Sequence, residues 1–120
     1  MTLEDRLHTL RSALPNCQVV AFGDAQARLI LKASHASLVP REVLDSLCAE
    51  AAECFATADR IGGAPSQASE AVVLTDEESR IYLRAQNRAD FLCIVSQWQS
   101  DLDLAVTQGT HTLQRISGAE

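Results

Sequence analysis

The chain has 120 residues, the length of one small domain, and 47% of them are hydrophobic, enough for a core without disulfides or metal. Its formal net charge of −6 disfavours nucleic acid as a partner. The apolar runs are shorter than the roughly 20 residues that span a bilayer. Because the acidic N-terminus has no apolar signal region, we expect a cytoplasmic protein that does not insert into membranes.

The first elements are predicted to be a helix followed by an interior strand. Thr2 and Asp5 have the spacing of a capping box, and Pro15 ends the helix. Residues 17–22 are apolar on both alternating faces, which is typical of a strand in the middle of a covered sheet. The helix is predicted from leucines at helical spacing: Leu3, Leu7, Leu10 and Leu14.

A hairpin is predicted next, with its turn at residues 23–26 and its second strand at residues 27–34. Arg28 and Lys32 fall on one face of that strand. Charged side chains of this kind discourage further strand pairing, so the pattern predicts a protected sheet edge.

The second helix is predicted over residues 41–58, because Pro40 suits a first turn and an apolar stripe follows it. Residues 61–69 then form a connection rich in turn formers. Gly62 and Gly63 lack the Gly-Lys-Ser/Thr continuation of a phosphate loop, so we interpret them as loop residues. The stripe consists of Leu44, Leu47, Cys48, Ala51, Phe55 and Ala58.

Three strands are predicted at residues 71–75, 80–86 and 91–95, joined by turns at residues 76–79 and 87–90. A last helix is predicted to begin at Ser100, with Asp103 completing a capping box. Its apolar stripe is Leu102, Val106, Leu113 and Ile116. Two interpretations of Gly109 stay open: it permits close packing against the first helix or the sheet, or the helix frays or kinks there and the polar turn at residues 110–112 faces a partner.

The apolar strands also predict the order of the sheet. Strands 17–22 and 91–95 are both of the interior type, so we expect them to be neighbours, and the hairpins place 27–34 beyond one and 80–86, then 71–75, beyond the other. Strand 71–75 is then an edge, although it is apolar and uncharged. Such an edge is an aggregation hazard unless it is paired, most simply with its own copy across a two-fold axis.

Reactive and metal-binding constellations have little support. Cys17, Cys48, Cys54 and Cys93 are scattered, as are the three histidines, so we expect reduced, mostly buried thiols and no metal or cofactor. A cysteine–histidine site assembled in space stays open as an enzymatic alternative. The single tryptophan, Trp98, lies between the last strand and the last helix. It is either a lid on the core or an anchor for a partner.

The order of elements resembles that of the roadblock / dynein light chain family of longin-like domains. The resemblance covers about residues 3–117. It is carried by the segment 14–22, the alanine-rich helix 42–58, the hairpin 71–85, and Asp90-Phe91-Leu92-Cys93-Ile94-Val95 with residues 101–106. These are pattern matches, without a set of catalytic residues.

The resemblance implies a single α+β domain over residues 1–120, with order αββαβββα. It implies a five-stranded antiparallel sheet with the middle helix on one face and the two terminal helices on the other. Family members typically form dimers through the third strand and the middle helix. The contact candidates are Val72, Leu74, Leu44, Leu47, Cys48 and Ala51.

The resulting hypothesis is a non-enzymatic homodimer that regulates or scaffolds a small Ras-like GTPase. Similar proteins act mainly by binding, and no arginine is singled out as an arginine finger among Arg28, Arg41, Arg80, Arg84 and Arg88. The alternative is a small-molecule sensor of profilin-like, PAS or GAF type, which requires a cavity between the sheet and the helices.

Overall fold

The computed structural model of the protein describes residues 2–61, 69–85, 89–97 and 101–117. Within these ranges, three helices and five strands follow one another in the predicted order αββαβββα. They are α1 (Leu3–Ala13), β1 (Cys17–Asp24), β2 (Leu29–His35), α2 (Arg41–Ile61), β3 (Glu70–Leu74), β4 (Glu78–Arg84), β5 (Asp90–Gln97) and α3 (Leu102–Ile116).

The described strands form one antiparallel sheet in the order β2-β1-β5-β4-β3. The two strands predicted to be interior, β1 and β5, are neighbours, and β2 and β3 are the edges. This confirms the order predicted from the apolar patterns. None of the helices in the described ranges has the length and apolar character that crossing a bilayer requires.

Each face of the sheet packs against its own helices. Leu47, Ala51 and Phe55 of α2 pack on one face, which we call the α2 face. Leu7 and Leu10 of α1 pack with α3 on the other, which we call the α3 face. Because side chains alternate along each strand, β1 and β5 contribute residues to both cores. One helix therefore lies on one face and two lie on the other, as the resemblance implied.

Of the two predicted helix N-caps, one is confirmed and the other is wrong. The Thr2 hydroxyl accepts from the Asp5 amide and the Asp5 carboxylate accepts from the Thr2 amide, which confirms the predicted capping box. At α3 the N-cap is Asp101, whose carboxylate accepts from the Leu104 amide at 3.0 Å. The prediction that Ser100 caps this helix is therefore wrong, because a second good capping residue lies one position further on.

The first hairpin turns later than predicted. Strand β1 continues through Gly23 to Asp24, and the Asp24 carboxylate accepts from the amides of Gln26 and Ala27. Arg28 lies in this turn with φ of 57°, so its predicted place on a strand face is wrong. The turn lies later because β1 continues to Asp24, which pairs with Leu29. The register also changes between Phe22 and Gly23, which leaves Leu31 of β2 as an extra residue.

The second hairpin has a shorter turn than the predicted residues 76–79. The Thr75 hydroxyl accepts from the amides of Glu77 and Glu78, and these hydrogen bonds close a short turn between β3 and β4. Glu78 and Ser79 consequently belong to β4.

Gly109 is the point of closest approach between α3 and the sheet. A Cβ atom there would lie 2.6 Å from Leu83 Cδ1 and 2.8 Å from Ile94 Cδ1, so the absence of a side chain lets the helix settle on β4 and β5. This confirms the predicted close packing and places it against the sheet.

We predict that Gly109→Val lowers the free energy of unfolding by roughly 1–3 kcal/mol, because the branched side chain must displace two buried residues. Gln108→Val adds the same side chain at an exposed position of α3 and serves as the control. Urea denaturation of both variants measures the difference. Equal stability of the two variants would show that α3 does not approach the sheet at Gly109.

Candidate functional site

No described strand pairs with the outer edge of β3, where backbone groups point outward at alternate residues. The Thr75 amide donates to the Glu78 carbonyl at 3.0 Å, and the Arg84 amide donates to the Ser69 carbonyl at 2.8 Å. Hydrogen-bonded pairs alternate along an antiparallel ladder, so Ala71 and Val73 also direct their polar groups toward β4. Every second residue of β3, with Val72 at the centre, therefore directs its N–H and C=O outward, away from the sheet.

The side chains of β3 follow the same alternation. Ala71 and Val73 are half-buried against the α2 core. Val72 and Leu74 lie on the α3 face, where they are 43% and 61% exposed. They are exposed because α3 packs over β4 and β5 and does not reach over β3. The β3 edge thus combines a free ladder with an uncovered apolar face.

Helix α2 is held beside this edge by charged contacts with β4. The Glu50 carboxylate accepts from Arg80 Nε at 2.7 Å and Nη2 at 3.2 Å, and from the Tyr82 hydroxyl. Further along β4, Arg84 Nη2 lies 2.8 Å from Asp59 Oδ1, with its guanidinium 4.6 Å from the centre of the Phe55 ring. These contacts follow β4 from one end to the other and fix α2 along it.

The protonation of this cluster matches its structural role. Burial acts to raise the pKa of Glu50, but hydrogen bonds from Arg80 and Tyr82 outweigh it and lower the pKa. Burial raises the pKa of Tyr82, and the nearby Cys93 and Glu50 act in the same direction. Glu50 is therefore a carboxylate acceptor and Tyr82 a neutral donor at neutral pH.

The predicted dimer contacts divide into two groups. Val72 and Leu74 are exposed at the edge. The four from α2, however, are buried in the protomer's own core against the sheet: Leu44, Leu47, Cys48 and Ala51. They have little surface left to offer a second copy, although the dimer interface itself stays a prediction.

Two α2 residues that were not among the predicted contacts are accessible at the surface. Val43 is 44% exposed and Cys54 is half-buried. Val43 lines a groove of about 360 Å³ beside the start of β4, with Glu50 and Arg80 at its base. In the sequence, the only sign of this groove is Val43, an apolar residue that lies outside the apolar stripe of α2.

Two predicted features lie outside the described residues: Trp98, the possible partner contact, and the Gly62-Gly63 loop. The four cysteines are free thiols, three buried and Cys54 half-buried. Burial raises the pKa of each of them, so they are largely protonated at neutral pH. In the described part of the chain, His, Cys, Asp and Glu form no group of three or more suited to a metal ion.

Comparison with known proteins gives the fold a name. No protein-family model matches the sequence, and no curated protein matches it. Among solved structures, the chain is similar to a roadblock/LC7 domain from Streptomyces avermitilis, with a TM-score of 0.82 and 14% identity over 99% of this chain and 98% of that one.

Two further structures have the same architecture. Myxococcus xanthus MglB has a TM-score of 0.78 and 13% identity, covering 98% of this chain and 86% of that one. An MglB described as having a tetrameric arrangement has a TM-score of 0.75 and 16% identity, over 94% and 83% of the two chains. The protein therefore has the roadblock fold, and the resemblance seen in the sequence is confirmed at that level.

We predict that Glu50→Ala lowers the free energy of unfolding by about 1–2 kcal/mol at pH 7, because Tyr82 loses its acceptor and Arg80 keeps only Glu78. Glu53→Ala, on the exposed side of the same helix turn, is the control and should change little. Urea denaturation at several pH values checks both expectations.

The pH dependence has a definite sign. Because the pKa of Glu50 is lower in the folded state, its contribution is present above the unfolded value of about 4.3 and disappears as pH falls through the folded value. The gap between wild type and Glu50→Ala should therefore shrink at acidic pH. A gap independent of pH would contradict the ionised pairing.

Proposed function

We propose that the protein is a non-enzymatic interaction module, active as a homodimer, that regulates or scaffolds a small Ras-like GTPase in the cytoplasm. The observation that carries the homodimer is the outer edge of β3. No described strand pairs with it, and it has no charge at its centre and no proline. The GTPase partner rests on the resemblance of the sequence to roadblock proteins, supported by the fold.

The edge is complementary to itself. Antiparallel pairing of two β3 strands about a two-fold axis at Val72 sets Val72 opposite its own copy and Glu70 opposite Leu74 of the second copy. Each outward N–H then meets an outward C=O, and the two sheets join into one. On the α2 face the same pairing sets Ala71 opposite Val73, two small apolar residues.

Two arginines of β4 are held in ion pairs, which suits a structural role better than a catalytic one. A GTPase activator that supplies an arginine finger needs a guanidinium free to reach the nucleotide. Arg80 and Arg84 are instead paired with Glu50 and Asp59 of the same chain. Arg41 pairs with Asp45 at the surface, Arg28 is exposed in a turn, and Arg88 lies outside the described residues. We therefore propose that the module acts by holding or repositioning the GTPase, as similar proteins do.

We predict that Val72→Pro converts the dimer to a monomer and leaves the protomer folded. Proline removes an outward N–H at the centre of the proposed seam, whereas the ladder to β4 does not use this group. Val72→Thr keeps the N–H and is the matched control. Light scattering gives the mass and circular dichroism the fold; a Val72→Pro variant that stays dimeric would place the seam elsewhere.

We predict that immobilised protein captures a small GTPase from lysate of its own cells when a non-hydrolysable GTP analogue is present, and much less with GDP. A GTPase regulator recognises switch loops that differ between the two nucleotide states. The Val72→Pro variant, run in parallel, tells whether capture needs the dimer. Equal capture with both nucleotides counts against regulation and favours a constitutive scaffold.

A further inference from the structure

A groove on the α3 face runs between β3 and α3 and has a volume of about 390 Å³. Leu83 and Ala85 contribute to its floor, and Val106 and Leu113 to the wall on α3. On the same face, the apolar floor continues along β3 to the exposed Val72 and Leu74. We call this surface, from Leu83 and Leu113 to Leu74, the β3–α3 trough.

Pairing of β3 with a second copy leaves the groove between β3 and α3 open. Strand pairing uses the backbone groups in the plane of the sheet, whereas Val72 and Leu74 stand on its face. The homodimer instead brings two troughs together, one on each side of the two-fold axis. The continuous apolar patch on the dimer is therefore larger than that on one protomer, and a large patch is typical of a site for a further partner.

The charges around the trough have one sign. Glu70 lines the groove, and Asp103 lies on the same flank of α3, one turn before Val106. Asp76 and Glu77 are exposed in the turn that follows Leu74. Among the described residues that line the groove, the one basic side chain is Arg84, and its guanidinium pairs with Asp59 on the α2 face.

The layering of the fold indicates the shape of the occupant. Helices α1 and α3 form a layer over β1, β2, β4 and β5, and within the described ranges this helical layer does not extend over β3. A strand would add to the free edge, whereas the element that completes a helical layer on a sheet face is another helix.

We propose that the β3–α3 trough binds an amphipathic helix of a partner protein, with apolar side chains on one side and lysine or arginine along its flanks. The proposal rests on the function of an interaction module, but each protomer holds a complete trough. It adds a second surface, on the α3 face beside the β3 seam.

The test uses a designed helical peptide with a leucine face and lysine flanks, and the same peptide with glutamate in place of lysine. Fluorescence anisotropy measures the affinity of each for the full chain. We expect the lysine peptide to bind, and Leu74→Gln to weaken it roughly tenfold through loss of a buried leucine contact. Leu31→Gln, at a leucine 47% exposed on the opposite edge, should bind as wild type does.

Chemical-shift mapping identifies the site independently. Addition of the lysine peptide should move the resonances of Val72, Leu74, Thr110 and Gln114, which face the trough. Shifts confined to the α2 face, equal affinity of the glutamate peptide, or binding unchanged by Leu74→Gln would each overturn the proposal.

The two proposals fail in different ways. Light scattering of the same samples reports the dimer, and the peptide titration reports the trough. A monomeric wild-type chain that binds the lysine peptide refutes the homodimer alone. A dimer whose peptide affinity is insensitive to Leu74→Gln refutes the trough alone, and a change of mass with Leu74→Gln would show that the trough is a contact between copies.

Discussion

The alternation of β3 is the constraint on which both proposed surfaces depend. Backbone polar groups and side chains alternate with the same period of two residues. Residues that bond to β4 therefore place their side chains under α2, as Ala71 and Val73 do. Residues that face the free edge, such as Val72 and Leu74, place theirs on the α3 face, where no described helix covers them. One short strand thus supplies an edge for pairing and a face for docking.

The charged contacts between α2 and β4 explain why only one face of β3 is covered. An ion pair with little exposure to solvent gains energy only in a narrow range of geometries, so it fixes alignment more than it adds stability. Two ion pairs hold α2 along β4: Glu50 with Arg80, and Asp59 with Arg84. In this position α2 covers the side chains of Ala71 and Val73. Helix α3 instead approaches the sheet at Gly109, over Leu83 and Ile94 of β4 and β5, and no ion pair among the described residues joins it to β3.

The sequence was sufficient for the order of strands, because an interior strand must be apolar on both faces and residues 17–22 and 91–95 are. It was insufficient where two local solutions have similar energies. Ser100 and Asp101 are both good caps, and the register change after Phe22 leaves no mark in the apolar pattern. The sequence also does not show which residues of α2 pack against the sheet and which would face a second copy. Leu44 and Val43 are equally apolar, but only the first points into the sheet, and helical period alone does not say where a second copy lies.

The two proposed surfaces constrain each other. If β3 pairs antiparallel about Val72, then Glu70 of one copy lies beside Leu74 of the other on the α3 face, since paired residues point to the same side. Each trough then gains a carboxylate from the second copy next to its most exposed leucine. A basic amphipathic helix would meet a higher negative potential on the dimer than on the monomer. Occupancy of the trough and pairing of β3 are therefore expected to be coupled, and by linkage a bound helix would stabilise the dimer to the same degree.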